Sequence, residues 1–141
     1  MPKTTVRVSM SSSDISSDPF TLTGAFSVTS DGSAGLDLLN GLTRTKIGTS
    51  AEIIADASTF TNTGEDQLAY LFIKNLSTNT SSAVFTDSII IKVSDGGSNH
   101  LTLGHLAGGQ SIVLPFSADN DITLTADVAD TVVEYLLVHA G

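Results

Sequence analysis

From residue 51 onward, apolar and polar positions recur with a period of two, which is the repeat of an extended strand and not of a helix. In QLAYLFIKN the alternation sets Leu71 and Ile73 on one face and Tyr70, Phe72 and Lys74 on the other. In SIIIKV it sets Ile89, Ile91 and Val93 against Ser88, Ile90 and Lys92. Both faces of these two segments are therefore apolar over much of their length, whereas a half-exposed antiparallel strand shows a clean in/out pattern. Read as a hairpin over 69–93, they carry a second apolar face, Tyr70, Phe72 and Ile90, that one sheet-to-sheet contact does not absorb. Either another subunit or the chain's own N-terminal arm has to cover it. The polar stretch between them, NLSTNTSSAVFTD (75–87), is expected to be an outward tip.

Further strands follow, separated by turn signals. SDGGSN precedes HLTLGHL, and AGGQ precedes SIVLPF, where Pro115 marks an edge position or a bulge. ADND precedes ITLTA, in which Ile122 and Leu124 alternate with Thr123 and Thr125, and DVAD precedes TVVEYLLVHA. Short strands at roughly 8–12-residue spacing predict an all-β antiparallel sandwich of the jelly-roll kind. The first third reads differently. Nine serines fall between Ser9 and Ser33, broken by the alternating TLTGAFSV. This predicts an extended Ser-rich arm over 1–20 holding a strand or two with its continuation, a turn at SDGSAG, and a sandwich domain over 21–141 whose pattern is strongest in 68–141. LDLLNGLTRTKI (36–47) reads as a short helix interrupted at Gly41, or as a loop.

Composition narrows the function more than the fold. The 141 residues include 19 Ser and 18 Thr but only 15% charged residues, so hydroxyls solvate much of the surface. The net charge is −9, and residues 93–141 carry six acids and no Lys or Arg. That balance opposes nucleic acid, whose binding relies on Lys and Arg displacing counterions, and it opposes anionic membranes. The absence of cysteine removes disulfides and thiolate metal sites. The N-terminus has no apolar core of a secretory signal and no run long enough to span a membrane, so the chain is expected to be made, and to be soluble, in a cytoplasm.

The search for reactive groups returns little. His100 and His105 lie five apart and are expected on opposite faces of one strand, and neither they nor His139 form the His-x-His pattern of a metal-binding β-barrel. No nucleophile elbow is present, and the Gly pairs sit between strands, not before a helix. Glu52, Glu65 and Glu134 are scattered. Asp119, Asp121, Asp127 and Asp130 fall in turns, where Asp is common for backbone reasons, and a calcium ion bridging those loops is the less favoured reading. Asn75 and Asn79 begin glycosylation sequons. The expectation is no catalytic residue, no metal, no cofactor, and a chain that is not an enzyme.

AYLFIKN, followed by GGQSIVLPFSADNDITLTADVADTVVEYLLV, resembles the small β-sandwich structural proteins of tailed phages, especially those of marine cyanophages. The resemblance covers about 68–141, with an echo in GLTRTKIG, and rests on a "YxxIKN"-like strand, a turn into "VLPF", an "ADxDI" turn and a "DTxVEYLLV" end. It implies a jelly-roll subunit of a virus particle, usually trimeric, with no catalytic residues. The leading expectation is a capsid decoration or cement protein on the outer head surface, assembled in the host cytoplasm and bound to itself and to the major capsid or another virion protein. Tyr70, Phe72 and Ile90 would form the subunit interface, and Lys3, Arg7, Arg44 and Lys46 the capsid-contacting arm. Alternatives are a tail, collar or fibre component, a carbohydrate- or receptor-binding module, for which an aromatic platform is missing, and a small cupin-like metalloprotein.

Overall fold

β-branched and alternating apolar residues leave this chain little option but strands, and strands are what it forms. The computed structural model describes residues 3–12, 20–29, 36–60, 68–78, 87–94 and 99–140. Its elements are β1 (Lys3–Ser12), β2 (Phe20–Thr29), β3 (Leu36–Ile47), β4 (Glu52–Ala55), β5 (Leu68–Asn75), β6 (Ile89–Ser94), β7 (His100–Leu106), β8 (Ser111–Ser117), β9 (Asp121–Ala126) and β10 (Thr131–Ala140). Among the described residues the one helical piece is a three-residue 3₁₀ turn, Ala57–Thr59.

The strands form a two-stranded sheet, β1-β2, and two four-stranded antiparallel sheets in the orders β3-β10-β5-β8 and β4-β9-β6-β7. From β3 to β10 the pairing runs first with last: β3 with β10, β4 with β9, β5 with β8 and β6 with β7. That is one long antiparallel ribbon rolled over on itself, with the roll bringing β5 beside β10 and β6 beside β9. It is the jelly-roll topology, which buries the inner faces of two sheets against each other.

The core follows the alternation. Leu71, Ile73, Ile89, Ile122, Leu124 and Val133 are fully buried between the sheets, each contributing about 1.5–3 kcal/mol of burial free energy. Tyr70, Phe72, Lys74, Ile90 and Lys92 are the partly exposed alternates. Pro115 lies in β8, an edge strand of its sheet, where a missing N–H does no harm.

Three expectations are corrected. Residues 36–47 form an edge strand, not a helix or loop, and pair along β10 with a register shift opposite Leu136 that hides the alternation around Gly41. Segments 69–75 and 89–94 are not a hairpin: β5 and β6 lie in different sheets. His100 and His105 do not point to opposite faces, because β7 carries a bulge at Leu103 that reverses the alternation. His105 pairs with Ile90 and His100 with Ser94, so the register puts both on the outer face. The expected turns at 30–35 and 95–98 and most of the 75–87 tip lie outside the described residues.

One end of the roll is tied by Asn75, buried at the end of β5. Its Nδ2 donates to the Asp87 carbonyl at 2.7 Å and to the Leu106 carbonyl at 3.0 Å, and its Oδ1 accepts from the Ser77 N–H at 2.9 Å. Its own carbonyl accepts from Gly109, which stands at φ 78° in the AGGQ turn, a region open to glycine at no steric cost. A glycan on Asn75 is therefore ruled out by burial. Nearby, the Ser88 hydroxyl donates to the Asp127 carboxylate, joining β6 to the turn after β9.

Candidate functional site

The outer face of the β3-β10-β5-β8 sheet divides into two zones set by register. Toward one end, Tyr70 stands opposite Val138 and Pro115, and Phe72 opposite Leu136 and Val113, which makes a continuous apolar block. One row further along, Lys74 and Arg44 flank Glu134. The Arg44 guanidinium donates to Glu134 Oε1 at 2.9 Å, and Lys46, two residues on and on the same face, reaches Asp130 at 3.5 Å. Both cations are largely exposed, so these pairs contribute at most about 1 kcal/mol each.

Over the apolar block lies the β1-β2 hairpin, and its sequence explains why. Opposite partners Val6 and Phe26, Val8 and Gly24, Met10 and Leu22 share one face of the ribbon. Thr5 and Ser27, Arg7 and Ala25, Ser9 and Thr23 share the other. A two-stranded ribbon is marginal alone in water, so its apolar face needs a surface. Phe26 finds one on Tyr70, with ring centroids 5.2 Å apart and planes inclined by 29°. Among the described residues no backbone ladder joins the hairpin to either large sheet, and the contact seen is made by side chains.

The fit is incomplete on both sides. Between β1 and the sheet remains a cleft of about 300 Å³, bounded by Thr5, Val6 and Arg7 above and by Tyr70, Phe72, Val113, Leu136 and Val138 below. Further along the ribbon, Val8, Met10 and Leu22 are 56–62% exposed.

Of the expected interface residues, Tyr70 and Phe72 come together in the cleft, while Ile90 lies on the outer face of the opposite sheet between Thr125 and His105. Of the expected arm residues, Arg7 borders the cleft, and Arg44 and Lys46 belong to the edge strand β3. Lys3 begins β1, with its side chain outside the described residues. The alternation in TLTGAFSV marks Leu22 and Phe26, the β2 half of this apolar stripe, whereas its β1 half, Val6, Val8 and Met10, is carried by the alternation in TVRVSM and is not among the expectations.

Among the described residues, reactive groups do not converge. His139 is buried at the inner side of β10, edge-on to Phe60 at 4.7 Å, away from the outer-face pair on β7. Asp119 and Asp121 lie at one end of β9 and Asp127 and Asp130 at the other, a separation of about 20 Å at 3.3 Å per residue over its six residues. One calcium ion does not bridge these two turns. Asp121 instead accepts from the Ala57 N–H at 2.8 Å, and Asp130 occupies a left-handed turn position at φ 66°. Glu52 accepts from the Gly48 N–H at 2.6 Å, bracing the corner where the chain passes from β3 to β4. Among the described residues no group of three or more metal-ligating side chains forms. Tyr135 faces the core and Tyr70 is stacked under Phe26, so neither tyrosine offers a free platform for a sugar ring.

Compared with known protein families, curated proteins and solved structures, the chain matches none of them.

Proposed function

We propose that this chain is a structural assembly subunit that runs no reaction, and most concretely a decoration or cement protein on the outer head surface of a tailed phage, acting as a homotrimer bound to the capsid. The observation that supports assembly is the pairing of an apolar outer sheet face with an amphipathic hairpin, both left partly uncovered in a single chain. Soluble monomers seldom leave such surfaces contiguous. The jelly-roll topology agrees with the fold that the sequence resemblance implies, and the net charge of −9 favours a protein-facing over a DNA-facing position. Arg7 and the exposed ends of Arg44 and Lys46, the last two in surface pairs with Glu134 and Asp130, supply cations for acidic groups on a capsid protein, a role that sets orientation more than affinity.

The test is co-sedimentation of the purified chain with isolated phage heads at physiological salt, beside a duplex DNA control. Saturable binding to heads without DNA binding is the expected result. Binding to DNA at that salt, or no binding to heads, would contradict the reading.

A further inference from the structure

The hairpin and the cleft beneath it are two unfinished halves of one contact. On the sheet side, Tyr70, Phe72, Val113, Leu136 and Val138 line about 300 Å³ that the chain's own Val6 and Phe26 do not fill. On the ribbon side, the same apolar face that docks through Val6 and Phe26 continues into Val8, Met10 and Leu22, which touch too little of the sandwich to be buried. The chemistry of the two halves matches, since neither the stripe nor the cleft floor carries a charged side chain, and the polar residues at the cleft, Thr5 and Arg7, border it from β1. The Phe26–Tyr70 stack shows that this ribbon face and this sheet face are complementary in kind.

We propose that the occupant of the cleft is the hairpin of a second copy of this chain, seated through Val8, Met10 and Leu22. The hairpin is held to its own sandwich by side-chain packing and by the chain connection through SDGSAG, with no shared backbone ladder among the described residues to break. Moving the ribbon's free half onto a neighbour therefore costs no backbone hydrogen bond and removes three large apolar side chains from water. The contact is heterologous, arm into cleft, so copies passing the arm in one rotational sense close a ring. This deepens the assembly reading by naming the partner and the surface, but does not depend on a virus particle.

The chain has no cysteine, which makes a clean cross-linking test available. Full-length Leu22→Cys and full-length Val113→Cys are mixed under mild oxidation, with Leu101→Cys, on the edge strand of the other sheet, replacing Val113→Cys as a control. Each chain then has one thiol, so a disulfide joining Leu22→Cys to Val113→Cys has to bridge two copies. That product, absent with the control, is expected. In parallel, Met10→Ser and Leu22→Ser, both at exposed positions, are expected to keep the thermal melt of the sandwich and to weaken self-association by about tenfold or more. No Leu22–Val113 product, or unchanged association in the serine variants, overturns the proposal. An oligomer that ignores phage heads keeps this inference and removes the virion reading. A monomer that binds heads does the reverse.

Discussion

Phe26 of the N-terminal hairpin stacks on Tyr70 of β5, ring centroids 5.2 Å apart, and this one aromatic pair fixes the ribbon's apolar face over the sandwich. An offset aromatic pair of this kind contributes about 0.5–1.5 kcal/mol beyond its buried area. Phe26→Ala and Tyr70→Ala should each speed amide exchange across β1 and β2 while leaving β5, β9 and β10 protected. In the double variant the effect should be less than additive. Unchanged exchange in the hairpin would show that the ribbon is held elsewhere.

Asn75 should be the most sensitive polar position in the described structure. Asn75→Ala leaves two carbonyls and one N–H without their side-chain partner in a buried site, at a cost of about 2–4 kcal/mol. Asn75→Asp should be worse, because it turns an oxygen toward the Asp87 and Leu106 carbonyls that Nδ2 now satisfies. Denaturant midpoints of the two variants give the order directly. Equal stability for wild type and Asn75→Asp would refute it.

Thr123 offers the opposite sign. Its Oγ1 is buried and has no hydrogen-bond partner among the described residues. Thr123→Val keeps the β-branched shape and removes the orphaned hydroxyl, so stability should rise by about 0.5–2 kcal/mol. A lower melting temperature would mean that the hydroxyl is satisfied.

The carboxyl of Asp56 is held below the ordinary carboxylate range, first by the Ser58 hydroxyl, which donates to Oδ1 at 2.6 Å, and then by the Ser58 N–H at 2.9 Å. A folded value below the unfolded one stabilises fully above the unfolded pKa of about 4, and the contribution is lost as pH falls through the folded value. Ser58→Ala removes the stronger donor and should move the Asp56 titration, followed by carboxyl carbon NMR, upward toward the ordinary value. No movement would assign the shift to another cause.

How much of this was legible depended on how regular each strand is. β5, β6 and β9 alternate without interruption, so Leu71, Ile73, Ile89, Ile91, Ile122 and Leu124 are readable as core from the sequence alone. β3 is not, because its register shift against β10 near Gly41 scrambles the alternation and the leucines then mimic a helical turn. The bulge at Leu103 is equally silent, and it is what brings His100 and His105 to one face. The 69–93 segment is not a hairpin for a topological reason: in this rolled ribbon β5 and β6 follow each other in sequence but lie in opposite sheets, whereas β6 and β7 do pair, and no local signal tells the two cases apart. That is why Tyr70 and Phe72 share the cleft with the hairpin and Ile90 does not.

Whether the apolar outer face of β5 is an assembly surface is decided by native mass in solution. Sedimentation velocity on wild type, Phe72→Asp and Ile90→Asp, each at micromolar concentration, separates the two sheet faces. The expected result is a discrete oligomer for wild type and for Ile90→Asp, and a folded monomer for Phe72→Asp, where an unpaired carboxylate would enter the cleft. A monomeric wild type that remains monomeric when bound to a particle, or an oligomer indifferent to Phe72→Asp, would contradict it.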